Sequence, residues 1–142
     1  MIRLTRRYRF SAAHRLYAPA LTARQNEELY GKCSNPHGHG HDYVLEVSVR
    51  GPLDASSARV VDLAALDALV EASILARLRH RDLNTEAAGI AGAVPTTENL
   101  ALGIRGRLLE SWREVFPGPE PRLDRVRVHE TRKNVFEVPA ST

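Results

Sequence analysis

From Ile2 to Leu16 apolar and polar residues alternate with a period of two. Ile2, Leu4, Tyr8, Phe10, Ala12, His14 and Leu16 share one side, while Arg3, Thr5, Arg7, Arg9 and Arg15 share the other, which predicts a long half-buried strand. Arg6 falls on the apolar side and predicts a bend or bulge there. The alternation returns from His39 to Arg50, with His39, His41, Tyr43, Leu45, Val47 and Val49 in phase, and Gly51-Pro52 ends it. Between the two strands, residues 17–38 have no period and carry Pro19, Gly31, Pro36 and Gly38, so they read as a loop. A loop of that length in a small domain is usually functional.

The period then lengthens. Asp62 is placed to cap a helix running to about Arg79, whose Leu63, Leu66, Leu69, Val70, Ile74 and Leu78 form one apolar stripe. After a glycine-containing loop, Pro95-Thr96-Thr97 starts a second helix that buries Leu100, Ile104, Leu108 and Trp112 and stops before Pro117-Gly118-Pro119. Gly103 and Gly106 weaken it in isolation, so close packing is expected at that point. RLDRVRVHE (122–130) and VFEVP (135–139) read as two short strands joined at Thr131–Asn134. Strand, strand, helix, helix, strand, strand predicts an α+β domain, an antiparallel four-stranded sheet with two helices across one face. No repeat or linker divides residues 1–142, which are expected to form a single domain.

Composition narrows the function. Hydrophobic residues make up 43% of the chain, enough for a core, and the formal charge is only +3. The arginines are scattered and the aromatics few, so no strip for stacking bases exists and a nucleic-acid partner is not expected. A mild positive field still draws in a small anionic substrate. Cys33 is the only cysteine, which excludes an intrachain disulfide. No apolar run reaches membrane-spanning length, and charges occupy the N-terminal stretch where a signal peptide is apolar. A soluble, cytoplasmic protein without a membrane partner is expected.

Three of the six histidines fall in KCSNPHGHGHDY (32–43). His39 and His41, one residue apart on a strand, project from one face and can grip one ion together. A catalytic zinc usually takes three protein ligands, and His14 supplies the third if the two strands pair antiparallel, because it lies on the matching face. His37 is an alternative partner for His39, although between Pro36 and Gly38 it reads as loop. Cys33, beside Lys32 and near such a dication, is a candidate general base. His39, His41 and Glu46 also match an H-x-H-x₄-E cupin pattern, but a cupin is almost entirely β, which the two helices oppose.

FSAAHRL (10–16), GKCSNPHGHGHDY (31–43), LRHRDLN (78–84), PTTEN (95–99) and VHET (128–131) stand in an order and spacing that closely resemble the 6-pyruvoyl-tetrahydropterin synthase family, which includes the 6-carboxy-tetrahydropterin synthases. The resemblance implies zinc on His14, His39 and His41, Cys33 as catalytic base, His80 as catalytic histidine, and Glu130 holding the amino-pyrimidine edge of a pterin. Thr96, Thr97 and Glu98 fall in a second pterin-contacting motif, and equally suit a helix N-terminus. It further implies the tunnelling fold, in which the sheets of three subunits close into a barrel and two barrels stack as a homohexamer. The implied reaction converts 7,8-dihydroneopterin triphosphate to 6-pyruvoyl-tetrahydropterin with loss of triphosphate. Two alternatives stay open: the 6-carboxy product of the queuosine route, made from the same substrate, and a zinc- and pterin-binding protein without turnover. The second is motivated by Arg79, which stands where the family has an aspartate before its catalytic histidine. Asp82 replaces that aspartate if the backbone turns there.

Overall fold

The computed structural model describes residues 1–141. One antiparallel sheet of order β1-β2-β3-β4 holds β1 (Ile2–His14), β2 (His39–Gly51), β3 (Arg122–His129) and β4 (Val135–Pro139). β1 and β2 pair without a break, from Ile2 opposite Gly51 to His14 opposite His39. The ladder is therefore regular at Arg6, contrary to the bulge its position suggested. Arg6 instead reaches across the apolar face to the helix above, donating from Nε and Nη2 to Asp67 at 3.0 and 2.8 Å, and the Tyr8 hydroxyl donates to the same carboxylate at 2.8 Å. A cation on an apolar face is tolerated because it meets a carboxylate there. The irregularity lies in β3: Ser48 pairs with Arg125 and Val49 with Leu123, leaving Asp124 as the extra residue.

The helices cover the face of Tyr43, Leu45, Val47 and Val49, all of which are buried. Helix α2 opens as Leu63–Val70 behind an Asp62 cap that accepts from the N–H groups of Ala64 and Ala65. It continues through a π turn, Glu71–Leu75, and ends in Ala76–Leu78. Leu66, Val70, Ile74 and Leu78 are all fully buried. In an ideal α-helix a four-residue step drifts by ~40°, and the wider π turn takes back part of that drift and keeps the stripe on the sheet. Beyond a short helix α3 (Ala88–Ala91), helix α4 (Thr97–Val115) buries Leu100, Ile104, Leu108 and Trp112. Gly103 is where α4 meets α3: a Cβ there would stand 1.6 Å from the Ile90 carbonyl oxygen, whereas one at Gly106 would meet nothing within 4 Å.

Residues 17–38 are not all loop. Helix α1 (Ala23–Tyr30) starts at a reciprocal cap, with Thr22 Oγ1 accepting from Gln25 N–H and Gln25 Oε1 accepting from Thr22 N–H. Its only buried side chain is Asn26, whose amide binds the Ala18 backbone through both Oδ1 and Nδ2.

On the opposite face of the sheet Glu46 accepts from Arg7 at 2.9 Å and from Arg127 at 3.1 Å, with His129 Nε2 3.0 Å away. Glu46 thus points away from His39 and His41, which, together with the helices, disposes of the cupin pattern. No helix among the described residues is long and apolar enough to cross a membrane.

Candidate metal centre and active site

A tight turn delivers the second strand to the first. Gly38 N–H donates to Asn35 O at 2.9 Å, and the Asn35 side-chain oxygen accepts from His37 N–H at 3.1 Å. Gly38 has φ +68°, and a Cβ on it would lie 3.0 Å from the His14 carbonyl oxygen, so the close approach needs glycine. His37 is held in this turn and exposed, while His39 enters the ladder directly opposite His14.

His14, His39 and His41 converge, with their ligand atoms all within 4.8 Å of one another. His14 is only 2% exposed. Its Nδ1 lies 2.9 Å from the Pro95 carbonyl oxygen, which can only accept, so Nδ1 carries the proton and Nε2 the lone pair. That Nε2 lies 3.0 Å from His39 Nε2, and His41 Nε2 is buried with no hydrogen-bond partner among the described residues. Burial pushes the His14 pKa below its ordinary 6.5, outweighing the Pro95 carbonyl, and burial followed by the neighbouring His41 does the same to His39. Three imidazoles whose ring nitrogens converge, one of them anchored to a backbone carbonyl, form a donor set suited to a metal ion.

Beyond the imidazoles stands Glu130, just past the end of β3. It accepts a short hydrogen bond from Thr97 Oγ1, and its charge acts on His14, His39 and Tyr43. Of PTTEN, only Thr97 meets Glu130. Thr96 spends its hydroxyl as the α4 cap, accepting from Asn99 N–H, and Glu98 is exposed in the first turn. Tyr43, 1% exposed and stacked on Phe10, has a hydroxyl with no partner among the described residues, and burial pushes its pKa up.

Cys33 lies in the 3₁₀ turn Gly31–Ser34 that follows α1, half-buried, and its carbonyl accepts from Leu16 N–H at 2.7 Å. The turn is thereby tied two residues from His14. His80 follows α2 with φ +57°. Its N–H donates to Ser11 O at 2.7 Å, and Ala13 pairs with Asp82, so residues 80–83 cover the end of the β1 edge. Arg79 donates from both Nη atoms to Glu71, each at 2.9 Å. The backbone does turn at His80, yet Asp82 Oδ1 accepts from Asn84 N–H within its own turn.

Residues 3–141 match the family described as 6-pyruvoyl tetrahydropterin synthase. This chain belongs to that family. It is 42% identical over 133 residues to the 6-pyruvoyl tetrahydrobiopterin synthase of Drosophila melanogaster, covering 94% of this chain and 76% of that one. The Homo sapiens synthase is 39% identical, over 93% of this chain and 87% of its own. The solved Caenorhabditis elegans 6-pyruvoyl tetrahydropterin synthase superposes with a TM-score of 0.86 at 36% identity, covering 97% and 94%. A Plasmodium vivax structure, at 18% identity and TM-score 0.68, shares the fold. The features of this synthase-family site that the pattern of residues did not reveal are backbone or register effects. The Pro95 carbonyl that holds His14 leaves no trace in side-chain chemistry, whereas Tyr43 was visible as a residue in phase with His39 and His41.

Proposed function

We propose that this protein is a zinc-dependent carbon–oxygen lyase that converts 7,8-dihydroneopterin triphosphate to 6-pyruvoyl-tetrahydropterin with loss of triphosphate. The observation that carries this reading is the placement of a three-imidazole donor set beside Glu130 in a member of the synthase family. His14, His39 and His41 hold the Zn²⁺, which when bound supplies Lewis acidity toward the oxygens of the substrate side chain. Glu130, steadied by the Thr97 hydroxyl, accepts the paired N–H groups of the amino-pyrimidine edge, a charge-assisted contact that fixes the ring. Thr96 and Glu98 complete the same motif, shaping the helix terminus from which Thr97 reaches in. Cys33 removes a proton from a side-chain carbon, and His80 carries the proton that completes the rearrangement. The ring gains the hydrogens that the side chain gives up, so no external reductant takes part.

The open edges of the sheet support an assembly of copies. Its β4 edge and the part of its β1 edge that residues 80–83 leave uncovered have no neighbouring strand among the described residues, so copies are expected to join β4 to β1 in rings, read here as a homohexamer of two stacked trimers.

The test is turnover of dihydroneopterin triphosphate by zinc-loaded protein, with products identified by mass. The expected products are 6-pyruvoyl-tetrahydropterin and triphosphate. Released acetaldehyde would assign the 6-carboxy reaction instead, and zinc and pterin binding without product would make the chain a binder. In the same assay Cys33→Ala should lose at least ~100-fold in kcat while keeping its zinc. Zinc loss in that variant would place the thiol among the ligands.

A further inference from the structure

The acidic residues on the segment around His80 all have partners of their own. The preceding residue is Arg79, engaged with Glu71; Asp82 is spent on the Asn84 N–H, and Glu86 is paired with Arg81 at 2.9 Å. A further acidic group comes from a different element. Two hollows flank His80 at the β1 edge, of about 320 and 400 Å³, and Asp42 is the carboxylate that lines both. Ser11 links the two residues: it is the cross-strand partner of Asp42, its carbonyl accepts the His80 N–H at 2.7 Å, and its hydroxyl donates to Asp42 Oδ1 at 2.5 Å. Among the described residues Asp42 Oδ2 takes no hydrogen bond, and it remains available to an imidazole N–H.

We propose that Asp42, held by Ser11, is the positioning residue for His80, taking the place that an adjacent aspartate has in the family and Arg79 vacates here. The proposal rests on the catalytic reading of His80 given above. An imidazole at the surface with no fixed partner samples many ring orientations and both tautomers, whereas a carboxylate across the hollow selects one N–H and aims the other nitrogen at the substrate. Asp42 has the geometry for this: its backbone is locked in the β1–β2 ladder one residue from His41, and Ser11 fixes its carboxylate from the edge side.

The experiment compares zinc-loaded parent, Asp42→Asn, Asp42→Asn with Arg79→Asp, and His80→Ala, reading kcat, KM, zinc per chain and melting temperature. Asp42→Asn is expected to lower kcat by about 10- to 100-fold with KM and zinc near the parent values. Adding Arg79→Asp should return most of that loss, because a carboxylate next to His80 replaces the one across the hollow; a purely structural role of Asp42 would gain nothing from it. The ¹⁵N shifts of the His80 ring should show one dominant tautomer in the parent and a mixture in Asp42→Asn, independently of turnover. Should Asp42→Asn fold poorly, Asp42→Glu serves, and should retain more kcat than Ser11→Ala. Parent-like kcat and an unchanged His80 tautomer in Asp42→Asn, with His80→Ala inactive, overturn the proposal alone. Parent-like turnover in His80→Ala overturns the catalytic reading of His80 beneath it.

Discussion

His14 and His39 stand directly opposite each other at the closing end of the β1–β2 ladder, their Nε2 atoms 3.0 Å apart. Two like atoms this close are natural when both lone pairs address one ion, since ligand nitrogens at ~2.0–2.1 Å from zinc lie close to one another. Purified protein should carry about one zinc per chain. His39→Ala should lose the metal, and His37→Ala, which alters an exposed turn, should keep it; metal analysis of the dialysed variants decides this.

Glu130 should govern substrate affinity more than metal affinity. Charge-assisted hydrogen bonds contribute about 1.5–3 kcal/mol, so Glu130→Ala should raise KM roughly 10- to 100-fold with zinc retained. Thr97→Val, which removes only the hydroxyl that steadies the carboxylate, should show a smaller rise. Unchanged KM in both would move the pterin edge to another partner.

The two α4 glycines should answer alanine in opposite directions. At Gly103 a Cβ would overlap the Ile90 carbonyl at 1.6 Å, and backbone must shift to admit it, an overpacking cost of about 1–3 kcal/mol or more. At Gly106 the space is open, and the gain in helix propensity is ~0.5–1 kcal/mol. Urea melts of the two variants separate the cases, and equal effects would contradict the contact between α3 and α4.

Glu46 should make stability pH-dependent. Burial alone would raise its pKa; the Arg7 hydrogen bond, with Arg127 and His129, overcomes that and holds it below its ordinary 4.5. A carboxylate depressed in the folded state contributes stability that is fully present above 4.5 and is lost as pH falls through the lower folded value. The melting temperature of Glu46→Gln should therefore lie furthest below the parent near pH 7, with the gap narrowing in acid below pH 4.5. A gap that widens in acid would reverse the sign.

The parts of this molecule that repeat were legible from its residues. Period-two alternation gave both long strands, the antiparallel register brought His14 to His39 and His41, and the stripe through Leu66, Val70, Ile74 and Leu78 gave the first helix. What escaped was structure held by polar or backbone groups. Helix α1 has one buried side chain, an asparagine, so no apolar stripe marks it, although Thr22 and Gln25 already spelled its cap. Arg6 looked like a flaw in a strand because its partner, Asp67, comes 61 residues later. The surroundings of His80 were illegible for the same reason, since Ser11 and Asp42 line its hollows from strands far from it in the chain.

The tripeptide Pro95-Thr96-Thr97 holds His14 by a carbonyl, caps α4 by a hydroxyl, and steadies Glu130 by the next hydroxyl. Exposed connections ordinarily accept added residues freely, and Ala93 just before it is exposed. Here one inserted residue after Ala93 would either pull Pro95 off the imidazole or rotate the start of α4 by about 100°, carrying Thr97 away from the carboxylate. The length of this connection is therefore constrained where its composition is not: substitutions at Ala93 should be silent, and a single-residue change in loop length there should disturb the metal end and the ring-binding end together.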